Sequence, residues 1–543
     1  MTNRRTKSSP NTNIESDRRY TKLAYLTLVV FTLAAAAFAV LQGLHPSRAT
    51  DLFWQVRTGQ LILASGPPHH DIFTWTRFGK EWCVNEWMFF AALALVCRTG
   101  IGNIWYLHVA LLCLIGATLF LCCALISKCK SLSLCLSAII LTAMSPFLAP
   151  RPQMATYILL TSTCAISVLF IQGKASRAHL VGLVPLFAFW ANVHQGVVVG
   201  VALLLIQALR GIQLQDRAAG KALALTALAC LAATLLTPYG IGLYKLIAVT
   251  LAQPAAMQVN EWRPHLPSAS PSDISFAFLW LVALAGIVIS KSKQSLWEAA
   301  LLAVFVIEGY LHYRNMPISA IIIGIVLWEP IQSVVASLNS QKVPLAVRLA
   351  LAAGVACILL SSALPPGIYL IGHSQAAIEE ECIGYDRFPW EAVHFLDYEK
   401  IPGGLRQYND YPIGGMLGYA RPQQLVFLDS RADICDGPLI ANVLKIMNPA
   451  QMKQPLTPDE VAFVRSYDFD DAIVTAPRLA AYLAGQPDWS LIYVHHIGPV
   501  FDTSRANAWI FFRNRPQFAA LIARARSDWA AHNHGQMPTT PAS

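Results

Sequence analysis

The chain of 543 residues is 55% hydrophobic and 13% charged, carries a formal net charge of +9 and has a mean hydropathy of +0.47. Its apolar residues come in long runs with charges between them, which excludes a string of ordinary soluble domains and points to a polytopic membrane protein. Lys and Arg sit at the N-terminus and in short loops rather than in a basic stripe interleaved with aromatics, so they read as topology determinants and not as a nucleic-acid surface.

Residues 1–22 form a polar, basic leader with Arg4, Arg5, Lys7, Arg18 and Arg19, which predicts a cytoplasmic N-terminus. The apolar run 23–41 is long enough to span. Its "AAAAFAV" contains an Ala-x-Ala pattern that also fits a cleaved signal peptide. The long leader and the many later spans favour an uncleaved anchor.

The region 42–102 then reads as a first outer loop. Within it, residues 87–97, "WMFFAALALVC", are too short to span and are expected as an interfacial or re-entrant helix. Further spans are expected over approximately 103–127, 131–149, 153–172, 180–194, 196–210, 221–238, 273–290, 295–311, 316–336 and 345–365, about 11 transmembrane helices in all. Charge selects that count. If 87–97 does not cross, the clusters Lys128/Lys130, Lys174/Arg177, Arg210/Arg217/Lys221, Lys291/Lys293 and Lys342/Arg348 all fall inside.

The transmembrane domain is therefore expected over 23–365. Beyond it the β-like runs "QLVFLDS", "DDAIVTA", "SLIYVHH" and "AWIFFR" alternate with helical stretches around "PWEAVHFLDY", "ANVLKIM" and "RLAAYLAG". This predicts a soluble α/β domain over 366–525, placed outside by the odd number of spans, and a disordered tail over 526–543. No repeat of fixed period is visible, which weakens an inverted-repeat transporter.

The twelve cysteines contain no CxxC pair, and there is no HExxH, so neither a zinc nor a redox site has support. No cofactor is expected; whether a divalent metal is needed stays open. Eight cysteines lie in or beside apolar runs, where Cys acts as a small hydrophobe. Cys83, Cys382 and Cys435 lie in polar regions and leave a disulfide open.

The outer face collects a different vocabulary: "TDLFWQVRTG" through "NEWM", then "APRPQ", "WANVHQG", "LTPYG", "NEWRPH" and "LHYRNMP". Charges beside hydrocarbon are costly and usually functional. Asp51 can act as a general base on a hydroxyl within hydrogen-bond reach, or it can cap the helix beginning at Leu52. Arg57, Arg151, Arg263 and Arg314 offer bidentate forks for a phosphate; snorkelling to headgroups is the alternative for those at helix ends. Glu308 is an acid near the outer end of a span. Asp410, Asp429, Arg431 and Asp433 form a polar set near a predicted strand end, there to bind an acceptor or to cap and turn the chain.

The order "TDLFWQVRTGQLIL", "HHDIFTW", "EWCVNEWM", "RPQ", "WANVHQG", "LLTPYG" and "EWRP" resembles a group of bacterial multi-span proteins assigned to the GT-C glycosyltransferase superfamily. The likeness extends to "YNDYPIGGML" and "VFLDSRAD", and so covers most of the chain. The resemblance implies an integral-membrane, usually inverting glycosyltransferase of the bacterial inner membrane. Such an enzyme takes sugar from a polyprenyl-phosphate donor on the outer, periplasmic side, where the α/β domain would also lie.

The resemblance carries the catalytic carboxylate onto Asp51, a second acid onto Asp71, and the glutamate of a His-Glu-Trp pattern onto Glu86, with structural hydrogen bonding the alternative for Asp71 and Glu86. Two positions depart from it: Asn85 stands where His is expected, and Ile72 where Pro is expected. His69 and His70, just upstream, are candidates to compensate. The expected substrate-binding set is Arg57, His69, His70, Arg151, His194, Glu261, Arg263 and Arg314; His194 also fits a satisfied helix-end histidine, and Arg57, six residues after Asp51, lies off the helix face a direct pair with Asp51 needs. Expected partners are the lipid-linked sugar donor and membrane lipid, with no nucleic acid; the sugar and the acceptor are not legible. Two other function classes compete: a transporter or flippase for a lipid-linked glycan, and a non-catalytic envelope assembly protein. Polar groups gathered at one face rather than at mid-membrane favour chemistry.

Overall fold

The computed structural model describes residues 51–127, 130–252, 261, 263–290, 294–339, 384, 388–435, 437–495 and 508–532. The leader, the runs 23–41 and 345–365, and Cys382 lie outside the described residues.

The described chain begins with helix α1, Leu52–Ser65, which Gly66 ends with a positive φ of 85°. After a long loop comes α2, Trp87–Val96. Its ten residues reach only about 15 Å, half of a hydrocarbon core of about 30 Å. The two helices lie against each other, and Gly59 is the contact. A Cβ there would lie 1.9 Å from the Phe90 carbonyl oxygen and 2.8 Å from Ala94 Cβ. Backbone cannot yield as a side-chain tip can, so Gly59→Ala is expected to destabilise by about 1–3 kcal/mol, as overpacking does. Thermal unfolding in detergent checks this; an unchanged midpoint would show that the helices separate freely.

The helical bundle follows: α3 Ile104–Ser127, α4 Lys130–Met144, α5 Gln153–Ile171, α6 Arg177–Ala191, α7 Val197–Gln213, α8 Arg217–Ala233, α9 Gly242–Ala252, α10 Pro271–Ser290, α11 Ser295–Leu311, α12 Met316–Val326 and α13 Trp328–Asn339. Among the described residues, three helices are long and apolar enough to cross a membrane: Ile101–Ser127, Gln153–Ile171 and Pro271–Ser290. A fourth arises if Tyr313–Val326 and Trp328–Ser337, bent by 63°, count as one span.

The described helices do not confirm the count of eleven, two of whose runs, 23–41 and 345–365, lie outside the described residues. Helices of 15–17 residues, such as α6 and α7, extend about 22–26 Å, less than a full hydrocarbon core. Apolar runs in the sequence merge helix with irregular chain: the run 131–149 contains a helix ending at Met144 and a separate turn at Ser145–Phe147. Helix α12, "MPISAIIIGIV", is apolar nearly all round and buried along its whole length, as the core helix of a bundle must be.

The charge segregation read from the sequence becomes two ends of this bundle. At one end the buried Arg210 donates to Glu329 Oε2 at 3.1 Å and to Gln294 Oε1 at 3.3 Å, and Gln172 reaches Glu329 Oε1 at 3.3 Å. At the other end the loops carrying Arg151, His194, Tyr239, Glu261 and Arg314 meet the first loop. Met88 N–H donates to Asn192 O at 3.2 Å, and Tyr239 OH donates to Pro68 O at 2.8 Å.

The C-terminal domain contains α14 Trp390–Tyr398, β1 Gln407–Asn409, α15 Gly414–Ala420, α16 Gly437–Ile446, α17 Pro458–Arg465, β2 Asp471–Val474, α18 Pro477–Ala484, β3 Trp489–His495, β4 Ala508–Arg513 and α19 Ala519–His532. Its mixed sheet has the order β1-β2-β4-β3, with β1 parallel to β2 and the other pairs antiparallel. Two differences from the sequence reading matter. The final helix runs to His532, past the residue 525 expected to end the domain. The run "QLVFLDS" is not a strand of this sheet, because its backbone bonds go to the first loop. Val426 N–H donates to Phe73 O, and Trp75 N–H to Val426 O, each at 3.0 Å.

That pairing is one part of a broad junction. Trp75 Nε1 donates to Gln407 O at 3.0 Å, Lys80 Nζ to Ile434 O at 2.7 Å, and Phe53 packs edge-on against Phe388 and Trp390. The first loop is thus built into the C-terminal domain, which holds residues 429–433 over the start of α1.

Candidate active site

A cavity of about 460 Å³ lies where α1, the polar end of the bundle and the C-terminal domain meet. Asp51 lines it from the start of α1. Its side chain makes no capping bond to that helix, which decides against the capping alternative. Instead Oδ1 accepts from Ser430 Oγ at 2.5 Å and from Trp54 Nε1 at 3.4 Å. Oδ2 lies 3.4 Å from Arg151 Nη2.

Arg151 stands between two carboxylates, since its Nη1 also donates to Glu261 Oε1 at 3.0 Å and Oε2 at 3.3 Å. Burial alone would lower its pKa, but Asp51 and Glu261 outweigh burial and raise it. Arg314 donates to Gln153 Oε1 at 3.2 Å, with Nη1 3.9 Å from Glu261 Oε2. The guanidiniums of Arg151 and Arg314 therefore share one corner with Gln153 and Glu261. Buried Arg151 Nε and Gln153 Nε2 have no hydrogen-bond partner there. Unsatisfied buried donors are costly, and an anionic oxygen would satisfy them.

Glu86, just before α2, lines another part of the cavity. Burial pushes its carboxyl up to about 8; Asp433 and Asp51 add to that, and Arg314 and Arg151 oppose it. Its Oε1 is 3.6 Å from His194 Nε2, beyond hydrogen-bond reach. His194 sits in the α6–α7 turn, and its Nδ1 accepts from Gly196 N–H at 3.0 Å. A backbone N–H only donates, so Nδ1 is unprotonated and the neutral ring carries its proton on Nε2. Burial, helped by Arg314, pushes the His194 pKa down to about 3 and keeps the ring neutral.

The raised Glu86 carboxyl has a consequence for stability. It binds more protons folded than unfolded, so its contribution is complete below about 4.5 and is lost as pH rises toward 8. The wild type is expected to lose on the order of 3 kcal/mol from this group between pH 5 and 7.5. Glu86→Gln should flatten that slope in thermal unfolding across the same range. An equal slope in the variant would place the titration elsewhere.

The other expected site residues lie away from the cavity. Asp71 is fully buried. It pairs with Arg431 Nη1 at 2.9 Å and accepts from the Phe73 and Thr74 backbone N–H groups at 3.2 Å each. Arg431 is also held by Asp429, with Nη2 to Oδ2 at 2.7 Å, and lies 4.4 Å over the Trp82 ring. Asp71 and Asp429 thus clamp the first loop to the C-terminal domain. Arg57 donates to Pro422 O at 2.6 Å across the same junction. His69 is exposed beside Tyr239, with ring centroids 5.0 Å apart, and His70 and Arg263 are exposed. Glu308 accepts from Asn315 at 2.7 Å and pairs with His312 at 3.0 Å. Asp410 accepts from Thr475 and Ala476 N–H and so ties β1 to the start of α18.

The cavity also takes in residues that the sequence reading did not single out, among them Trp54, Gln153, Gln195, Tyr411 and Ser430. Gln153, Gln195 and Ser430 stand inside quoted motifs, yet a neutral side chain carries no signal until its neighbours are known. Among the described residues no group of three or more His, Cys, Asp or Glu is placed to hold a metal ion. Arg431 and Asp433 line the cavity from the domain side, so the polar set around "VFLDSRAD" divides between clamp and cavity wall.

No protein-family model matches the chain, and no curated protein matches it. Among solved structures it is similar to the apo oligosaccharyltransferase of Archaeoglobus fulgidus, with a TM-score of 0.43, 11% identity, and coverage of 83% of this chain and 70% of that one. It is likewise similar to the archaeal oligosaccharyltransferase AglB from Archaeoglobus fulgidus in complex with an inhibitory peptide and a dolichol-phosphate, with a TM-score of 0.43, 11% identity, and coverage of 84% and 69%.

Proposed function

We propose that this chain is a membrane glycosyltransferase of the GT-C kind that moves a sugar from a polyprenyl-phosphate donor to an acceptor hydroxyl, with Asp51 as general base. One observation carries the reading: Asp51, Arg151 and Arg314 meet with two unpartnered N–H groups in one cavity at the polar end of an apolar bundle.

Each part has a task. Arg151, Arg314 and Gln153 take the phosphate oxygens; their charge stabilises the developing negative charge as the sugar–phosphate bond breaks. Asp51 Oδ1 is engaged by Ser430 and Trp54, so Oδ2 is the oxygen that receives the acceptor's proton. The acceptor oxygen bonds to the anomeric carbon on the face opposite the departing phosphate, and polyprenyl phosphate leaves. The sugar's configuration inverts. In this reading the work takes place on the outer face of a bacterial inner membrane with the N-terminus cytoplasmic, which the distribution of Lys and Arg in the sequence supports. The donor's lipid tail would lie along the apolar bundle.

The test is transfer by membrane vesicles holding the full chain, given a panel of radiolabelled polyprenyl-phosphate sugars. Label moving from lipid to a second product, dependent on this chain, supports the reading. Vesicles that transfer from none of the donors would overturn it in favour of transport or assembly.

A further inference from the structure

Asn85 and Glu86 line a second polar corner of the cavity, and His194 stands beside it, with Nε2 3.6 Å from Glu86 Oε1. His194 is 8% exposed and Asn85 is 6% exposed, and neither His194 Nε2 nor Asn85 Nδ2 has a hydrogen-bond partner. His194 cannot turn its proton elsewhere. Its Nδ1 is occupied by Gly196 N–H and lies 2.8 Å from Thr156 Oγ1, which itself accepts from Trp190 Nε1 at 2.9 Å. The remaining Nε2–H points toward Glu86 at the cavity wall. The two segments are also locked together, because Trp87 Nε1 donates to Asn192 Oδ1 at 2.6 Å.

These donors differ in kind from those around Arg151. Both are uncharged, and the group nearest His194 is the Glu86 carboxyl, with the Arg314 charge acting on His194 and Glu86 from farther off. A phosphate or carboxylate here would be a buried charge with no cation in direct contact, which is costly. A sugar oxygen suits the corner: it accepts from the amide and the imidazole, and a hydroxyl can give its own proton to a Glu86 oxygen.

We propose that Asn85, Glu86 and His194 form the subsite for the hydroxyl or acetamido oxygens of an uncharged transferred sugar. This rests on the glycosyltransferase reading and adds to it the class of sugar: neutral hexoses and N-acetylhexosamines are taken, uronates are rejected.

Binding and transfer test this separately. Full-length protein in detergent, labelled with ¹⁵N-histidine, is titrated with a methyl hexoside, a methyl N-acetylhexosaminide, a methyl uronoside and inorganic phosphate. The His194 signal is identified by its loss in His194→Gln. It should show the neutral Nε2–H form, and it should shift with the two neutral glycosides and with neither anion. A shift with phosphate or uronoside, or none with either neutral glycoside, overturns the subsite. In the vesicle assay, His194→Ala should raise the donor KM roughly tenfold, the worth of one lost hydrogen bond. Asn85→Ser serves as a second variant with the same expected direction. An unchanged KM in both variants likewise overturns the subsite. Glycoside binding at His194 with no transfer from any donor removes the transferase reading but keeps the sugar site.

Discussion

Asp51→Asn is expected to lower transfer by roughly 10²–10⁴-fold, the usual worth of a positioned general base, while the protein still folds. The amide is nearly isosteric, and its oxygen can keep the bonds from Ser430 and Trp54 that the Oδ1 atom now accepts. What goes is the negative oxygen 3.4 Å from Arg151 Nη2, and with it any basicity. Turnover per folded molecule, normalised by a size-exclusion profile in detergent, is the measurement. Transfer at the wild-type rate would move the base to Glu86, the other first-loop acid at the cavity. Asp71 is not an alternative of equal standing, since Arg431 and two backbone N–H groups occupy its carboxylate.

Arg431→Ala should be the most destabilising change at the junction, costing about 3–5 kcal/mol, because it leaves two buried carboxylates without their cation. Asp71 and Asp429 both face that guanidinium, at 2.9 and 2.7 Å. Limited trypsinolysis in detergent should cut the chain between the bundle and the C-terminal domain far faster in the variant. Asp71→Asn should weaken the clamp in the same direction and by less. Activity then separates clamp from chemistry. If Asp71→Asn loses turnover with an unchanged melting midpoint and cleavage rate, Asp71 acts in the reaction and its burial is misleading. A fall in stability with residual turnover proportional to the intact fraction supports the clamp.

Ser430 shows why these two predictions are linked. It is adjacent to Arg431 in the chain, and its hydroxyl holds Asp51. The Asp71–Arg431–Asp429 knot therefore sets where Asp51 points, through Ser430. A loop acid that looks catalytic in sequence can serve the site through the architecture around it.

Composition and periodicity alone determined much of this protein: a helical, apolar body, a later region where short strands alternate with helices, and polar motifs separated into two groups. Those properties are local, because a run of apolar side chains or an alternating strand reports its own environment. The strands β2, β3 and β4 and the helices around "PWEAVHFLDY", "ANVLKIM" and "RLAAYLAG" were legible for that reason. The helix ends inside apolar runs were not legible, since hydropathy does not record where a helix stops within such a run. Nor was the division of the charges. Asp51 and Asp71 lie twenty positions apart in one polar loop, and only the fold sets one in a cavity and the other against Arg431. That choice depends on Ser430 and Arg431, more than 350 residues away, and a burial decided by such distant partners leaves no mark on either aspartate's own neighbourhood.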